Sequence, residues 1–384
     1  MCYRLNHQTI GEYQLLPARI IMLVDLDYFF AQCEELKNPS LKEKPVVVCV
    51  YSGRTEESGA VSTANYVARK YGVKSGMPIY LAKKKLENVD AAFLPVDDEF
   101  YEETSDKVMK LLRGYADIFE QVGIDEAYLD VTRRTAESYQ AARDLASEIK
   151  SSMRNRLGLT CSIGVGPNKL VAKIAADENK PDGLTVIEPD QVNNFLQPFP
   201  VDRLLGVGAK TAEKMRLMGI CSISDLAKYD IQKLISTFGK NLGTYFHNAS
   251  LGIDNEPVRE KGEADSLSRI ATLRQDTHDV GPIIEKTDEL CTDLHANIIE
   301  QNVTFKSISI IAIAKDLSLY SRSRTLESPT NSLEVMKKTV GELFGRFLSE
   351  NAFEIRRVGV KLSGFSEIEK AQKQITSFFP NTTE

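Results

Sequence analysis

Two apolar runs, each broken by acids, limit most sharply what this chain can fold into. In IIMLVDLDYFF (20–30) Asp25 and Asp27 interrupt a strand-like segment, and in VGIDEAYLD (122–130) Asp125 and Glu126 stand side by side among Val122, Ile124, Tyr128 and Leu129. A buried carboxylate without a partner is costly, and adjacent like charges raise that cost. Counter-charge must therefore reach these positions, or the acids must cap backbone groups at turns. On the first reading, Asp25, Asp125 and Glu126, rooted on strand ends, share two divalent ions of the kind that clamp attacking and leaving oxygens in nucleotidyl transfer. Magnesium suits such a site, because it takes hard oxygen ligands and keeps waters and substrate phosphates in its shell. Asp125 and Glu126 face opposite ways on a regular strand, so a bend is expected there. Asp27 falls on Asp25's side by period two, but at a helix start, where a capping or structural role is expected.

The remaining totals narrow the class. A chain of 384 residues exceeds one ordinary core and implies several domains. Its six cysteines are scattered without a C-x-x-C pair, which indicates reduced thiols in a cytoplasmic protein. RIIMLV, the longest apolar candidate, is far too short to span a membrane. The net charge of −6 argues against a nucleic-acid binder only if the charges are evenly spread.

Strand and helix patterns alternate from residue 20 to 183, as expected for an α+β layer with helices on one face. Residues 200–250 read as short helices with glycine turns, GEAD (262–265) as a linker, and the segments beyond as a second α+β unit. Two glycine patterns are not nucleotide loops. GVGPNK (164–169) has Lys169 where a dinucleotide fingerprint needs its third glycine, and GVGAKT (206–211) lacks the glycine before lysine of a P-loop. RLLGVGAKTAEKMRLMGI instead resembles a helix-hairpin-helix, with Gly206 and Gly208 in a turn whose N–H groups grip a DNA phosphate, or a plain helix–helix turn.

VDLDYFFAQCEELKNPSLKEKPVVV, SGAVSTANYVARKYGVKSGMP, GIDEAYLD and SIGVGPNKLVAKIAADENKPDG, in this order, resemble the sequence blocks of Y-family lesion-bypass DNA polymerases of the DNA polymerase IV type. The likeness runs from about Ile20 to Phe365. It implies a multidomain α+β right-hand polymerase: an N-terminal extension (1–19), a palm (20–37 and 97–188), small fingers (38–96), a helical thumb (189–253), a linker (254–265), an α+β little finger (266–366) and a tail (367–384). It implies that Asp25, Asp125, Glu126 and the Leu26 carbonyl hold two Mg2+. Phe30 matches the steric gate against a 2′-hydroxyl, where the residue pattern alone would suggest an ordinary core phenylalanine. Thr63, Tyr66, Arg69 and Lys180 match contacts to the dNTP triphosphate, and Lys173 is expected to reach template or primer backbone. The implied activity is low-fidelity, template-directed addition of dNTPs to a primer 3′ end, by a monomer on primer–template DNA.

Residues 254–364 carry fifteen basic against eighteen acidic side chains, so a DNA-binding domain there must segregate them. Arg322, Arg324, Arg356, Arg357 and Lys361 lie on strand-like segments and the acids of 279–300 on a helix, which suggests a basic sheet and an acidic back. Gln372, Ile375, Phe378 and Phe379 form the Q-x-x-I-x-x-F-F pattern of peptides that bind a PCNA-type sliding clamp, pointing to an archaeal or eukaryotic source. Two rivals remain at this stage: another palm-type two-metal enzyme such as a nucleotidyl cyclase, and a silent DNA-bound scaffold that recruits the clamp.

Overall fold

A computed structural model of the chain describes residues 19–260, 262 and 265–367. Among these, two compact units separate: one built from 19–48, 62–75 and 85–260, the other from 49–61, 76–84 and the residues from 262 onward. Both acidic runs are strands of the first unit.

In chain order come β1 (Ile21–Leu26) and α1 (Phe29–Lys37), then β2 (Val46–Tyr51), β3 (Gly59–Ala64), α2 (Tyr66–Lys70), α3 (Ile79–Lys85) and β4 (Ala92–Pro95), with residues 49–61 and 76–84 belonging to the second unit. Then come α4 (Asp98–Arg113), β5 (Ile118–Gln121), β6 (Glu126–Asp130), α5 (Tyr139–Leu157), β7 (Cys161–Gly166), α6 (Lys169–Glu178) and β8 (Leu184–Val186). A five-stranded sheet has the order β5-β6-β1-β7-β8, and β3-β2-β4 form a second, smaller sheet. β1 lies between β6 and β7, antiparallel to both, which explains why IMLVDL is buried along its whole length.

The two faces of the main sheet are covered differently. Met22, Val24, Leu129 and Ile163 pack with Tyr101, Val108 and Leu112 of α4 and with Ala142, Ile149 and Met153 of α5. On the other side Ile21, Leu23 and Tyr128 meet Ala172 and Ala176 of α6 and Val258. The expectation of helices on one face only is therefore corrected: α6 closes part of the second face. Glycine makes this possible, because a Cβ on Gly164 would stand 2.0 Å from the Ala172 carbonyl oxygen and 2.2 Å from the Ala176 nitrogen. The G-V-G of β7 thus admits a helix backbone, not a pyrophosphate. Asn168 caps α6, its Oδ1 accepting from the Val171 N–H (3.0 Å) while its Nδ2 donates to the Gly252 carbonyl (2.8 Å).

Beyond β8 lie α7 (Val192–Leu196), α8 (Ala209–Leu217), α9 (Ile223–Lys228), α10 (Ile231–Phe238) and α11 (Lys240–Ser250). Their core, including Leu196, Met215, Leu226 and Phe246, is continuous with Leu170, Val171, Ile174 and Ala175 of α6. The glycine turn at Gly206, which has φ +77°, leads to Gly208 at the N-cap of α8. The limb before it is a single 3-10 turn (Val201–Arg203), shorter than the helix expected there.

The second unit holds β9 (Ser266–Thr277), α12 (Val280–Glu300), β10 (Val303–Ala314), β11 (Leu319–Thr330), α13 (Leu333–Glu350), β12 (Ile355–Ser363) and β13 (Ser366–Glu367). Its main sheet has the order β11-β10-β12-β9. Ile308, Ile310, Val358 and Val360 face Leu294, Ile298, Phe344 and Phe347 of α12 and α13. Within the same unit Arg54 reaches Asp276 at 2.6 Å and donates to the Leu273 carbonyl.

The expected division into a basic sheet and an acidic back is corrected here. Arg322 lies over the Phe347 ring and 3.8 Å from Glu350, and Arg324 pairs with Glu342, so both arginines turn to the helix side. Arg356 is 3.8 Å from Asp276. The open face carries instead the hydroxyl pairs Ser309–Ser323 (2.7 Å) and Ser307–Thr325 (3.0 Å), with Arg357 and Lys361 as its cations among the positions expected to bind DNA. Alternation decides this: a strand residue's charge says nothing about its face until the register is known.

Replacing Gly164 by Ala forces α6 away from β7. We expect a loss of about 1–3 kcal/mol or more in urea unfolding, the usual cost of overpacking a tight core. An unchanged midpoint would show that α6 sits there without needing the glycine.

Candidate active site

β1 and β6 pair so that Asp25 lies directly opposite Glu126, and the Leu26 N–H donates to the Asp125 carbonyl (2.9 Å). The expected bend is present. Residues 123–125 curve ahead of β6, with the Val122 and Gly123 N–H groups both donating to the Glu126 carbonyl (3.1 and 3.2 Å). Gly123 keeps the space beside the acids tight, since a Cβ there would come within 3.2 Å of Asp125 Oδ1 and 3.3 Å of Glu126 Cγ. Three carboxylates thereby converge at one end of the sheet, on the face that α6 covers.

Two lysines meet them. Lys173 of α6 hydrogen-bonds Glu126 Oε2 and lies 3.0 Å from Asp25 Oδ2. Lys180, just past α6, is 2.7 Å from Asp25 Oδ1 and 2.9 Å from Asp177 Oδ1. Lys173 thus turns inward to the acids, in place of the outward reach toward template or primer expected for it. Burial works to lower both ammonium groups, yet Asp25, with Glu126 for Lys173 and Asp177 for Lys180, raises them above the ordinary lysine range. Among the described residues Asp125 makes no such ion pair, although the nearby Lys173 charge works to lower it. Burial raises its carboxyl first, and the neighbouring charges of Asp25 and Glu126 raise it further.

Carboxylates outnumber the two lysines, one of which is shared with Asp177, and the donors are hard oxygens that suit a divalent cation of the magnesium type. Among the described residues no group of three or more His, Cys, Asp or Glu side chains is already set as a ligand cage. Lys173 lies between the oxygens that would have to converge.

Asp27 does not join the cluster. It is 1 % exposed, and its Oδ1 accepts from the Ser162 hydroxyl (2.7 Å) while Oδ2 accepts from the Asp182 N–H (2.8 Å). Its role is structural, tying down the turn after Lys180; Tyr28, not Asp27, occupies the N-cap of α1.

Phe30 stacks on Tyr101 with ring centroids 4.4 Å apart, and the Tyr101 hydroxyl donates to Glu34 (2.6 Å). Tyr28, held at φ +37°, meets the Tyr66 ring edge-on at 5.4 Å. The Arg69 guanidinium lies 4.7 Å over the Tyr66 ring and its Nε donates to the Ala64 carbonyl (2.8 Å). Burial raises the Tyr66 phenol, with Arg69 and Lys180 opposing and Asp27 and Asp25 adding, so Tyr66 lies within electrostatic reach of the acids. Thr63 is the penultimate residue of β3, three positions before α2 begins at Tyr66. Asn65 joins the pieces: its Oδ1 accepts from Val46 and Ala68, and its Nδ2 donates to buried Glu35 (2.9 Å).

Tyr101, Glu35 and Asn65 escaped the sequence reading, because nothing local distinguishes them from helix and loop polar residues. Lys173 left a signal: it follows Ala172 and precedes Ala176 and Asp177, the side of α6 that lies along the sheet. Gln372, Ile375, Phe378 and Phe379 lie outside the described residues.

Comparison with known proteins accounts for this arrangement. Residues 24–177 match the model of the impB/mucB/samB family, 264–377 its C-terminal domain, and 202–254 the thumb domain of DNA polymerase iota. A DNA polymerase IV of Nitrosopumilus maritimus is 47 % identical over 365 residues, covering 95 % of this chain and all of that protein. A Y-family polymerase chimera of Dbh and Dpo4 superposes with TM-score 0.85 at 37 % identity, over 91 % of this chain and all of the chimera. An insertion ternary complex of Dbh polymerase gives TM-score 0.66, also at 37 % identity, over 91 % of this chain and all of that one. These matches show that the chain belongs to the DNA polymerase IV group of the Y-family DNA polymerases.

Proposed function

We propose that the chain carries out template-directed, lesion-bypass DNA synthesis, and that Asp25, Asp125, Glu126 and the Leu26 carbonyl hold two magnesium ions at its active site. The observation that carries this reading is the convergence of three carboxylates with only two lysines to balance them. Bound there, the ions supply the charge that acidifies a primer 3′-hydroxyl and stabilises departing pyrophosphate. The chain's own residues bind and orient the substrates. Lys180 and Arg69 offer cations to the triphosphate, Arg69 through a forked guanidinium and Thr63 and Tyr66 through hydroxyls. Phe30, backed by Tyr101, lies against the sugar and meets a 2′-hydroxyl sterically. We assign a palm to 20–37 and 97–188 and fingers to 38–96, and the family matches over 202–254 and 264–377 support a thumb over 189–253 and a little finger over 266–366.

Primer–template DNA and dNTPs are the substrates, a reading supported by the ternary complex of the similar Dbh polymerase. The Gly206–Gly208 turn grips a phosphate through backbone N–H groups. Arg357 and Lys361 meet the phosphate backbone from the open sheet face; Arg322, Arg324 and Arg356 do so only by leaving Glu350, Glu342 and Asp276. The C-terminal Gln372, Ile375, Phe378 and Phe379 dock a sliding clamp.

Primer extension on undamaged and abasic templates with Mg2+ tests the centre of this reading. Outer-shell partners of a metal are worth about 10–100-fold, so Glu126→Ala should cost more than about 100-fold; extension that survives it would sink the metal assignment. In the same assay Phe30→Ala should begin to incorporate ribonucleotides, and unchanged sugar discrimination removes Phe30 from that role. Deleting 371–384 should abolish stimulation by a PCNA-type clamp while leaving clamp-free extension intact. Stimulation that persists would place clamp binding elsewhere.

A further inference from the structure

We propose that Lys173 is an internal counter-cation: its ammonium contacts one oxygen each of Asp25 and Glu126, and a metal ion that takes those oxygens must displace it. This rests on the reading of those acids as metal ligands, and it makes Lys173 a positioning residue of the reaction. The geometry is specific. Lys173 contacts one oxygen of each acid, Asp25 Oδ2 and Glu126 Oε2, and its side chain is 21 % exposed. Lys180 takes the other Asp25 oxygen, and its second partner is Asp177, so it does not reach Glu126.

The anchoring of α6 explains why Lys173 holds this post. Ala172 and Ala176 press on β7 through Gly164, while Leu170, Val171, Ile174 and Ala175 are buried in the helical core. The helix cannot roll without breaking one of these contacts, so the Cα of Lys173 is fixed and only its flexible stem can move. A divalent ion that coordinates Asp25 and Glu126 competes for the same oxygens. Without nucleotide, the displaced ammonium leaves a strong ion pair for a partly desolvated setting with no new acceptor. A dNTP changes that balance, because its triphosphate offers Lys173 and Lys180 fresh anionic oxygens.

Metal and nucleotide affinities are therefore coupled through Lys173, and linkage requires the coupling to be reciprocal. The consequence is an enzyme that resists loading metal until nucleotide arrives. A lysine serving only to steady the fold would give the opposite result, since its loss would loosen the acids and weaken metal binding.

Titration of Mn2+ into the full-length, metal-free protein, followed by the EPR signal of free Mn2+, tests this without turnover. Lys173→Gln should bind Mn2+ at least about fivefold more tightly without nucleotide, the lower end of ordinary coupling, and the gain produced by a non-hydrolysable dNTP should shrink by the same factor. Equal or weaker binding by the variant overturns the proposal. A second measurement uses the wild-type chain and does not depend on the variant folding. Acetylation read by mass spectrometry should find Lys173 protected in the metal-free protein and more reactive at saturating Mn2+. Unchanged reactivity also overturns it. Asp125→Asn separates the two levels: if it weakens Mn2+ binding while Lys173→Gln has no effect, only the counter-cation fails; if neither substitution alters binding, the metal reading fails and the counter-cation with it.

Discussion

Asp25 and Glu126 face each other across an antiparallel ladder, and like charges directly opposite one another destabilise a sheet. The surroundings answer this repulsion. β1 cannot shift its register, because one step would turn Met22 and Val24 out of the main core and the acids into it. β6 cannot carry Asp125 away on a regular strand, because the bend at 123–125 aims that carboxylate toward the other two. The repulsion is maintained by a well-packed sheet, and it creates the demand for cations that the site is built around.

α6 meets part of that demand, and it does so by having three different sides. Its small residues lie on β7, its larger apolar residues enter the helical core beyond residue 187, and Lys173 projects along the sheet to the acids. One helix thus couples the five-stranded sheet, the helical segment and the charge balance of the centre. The turn after it is held by Asp27, whose carboxylate accepts from Ser162 and Asp182, so that Lys180 stands beside Asp25. Two acids two residues apart therefore meet different partners: Asp25 pairs with Lys173 and Lys180, and Asp27 is consumed by the fold.

The C-terminal unit follows another logic. Its net acidity is relieved by local pairing, with Arg324 on Glu342 and Arg322 beside Glu350, and less by separating the charges onto opposite faces. The open sheet face carries the paired hydroxyls of Ser307, Thr325, Ser309 and Ser323, with Gly359 packed against Ile270 and Ile311.

Much of the centre was legible in the sequence. Acids that interrupt apolar strands are costly unless something pairs with them, so Asp25, Asp125 and Glu126 could be grouped, and the bend between the last two expected, before any coordinates. Strands and helices followed from periodicity, because burial of one face imposes a local pattern. What periodicity could not reveal was which groups face each other. That α6 crosses the second face of the sheet, that Lys173 turns in and not out, that Asp27 is spent on Asp182, and that Arg322 and Arg324 lie on the helix side all depend on register and on contacts between residues far apart in the chain. The sequence by itself determined the elements and the chemical character of the site; only tertiary structure decided the pairing of its charges, because a Coulomb interaction depends on distance in space and an isolated residue carries no record of its partner.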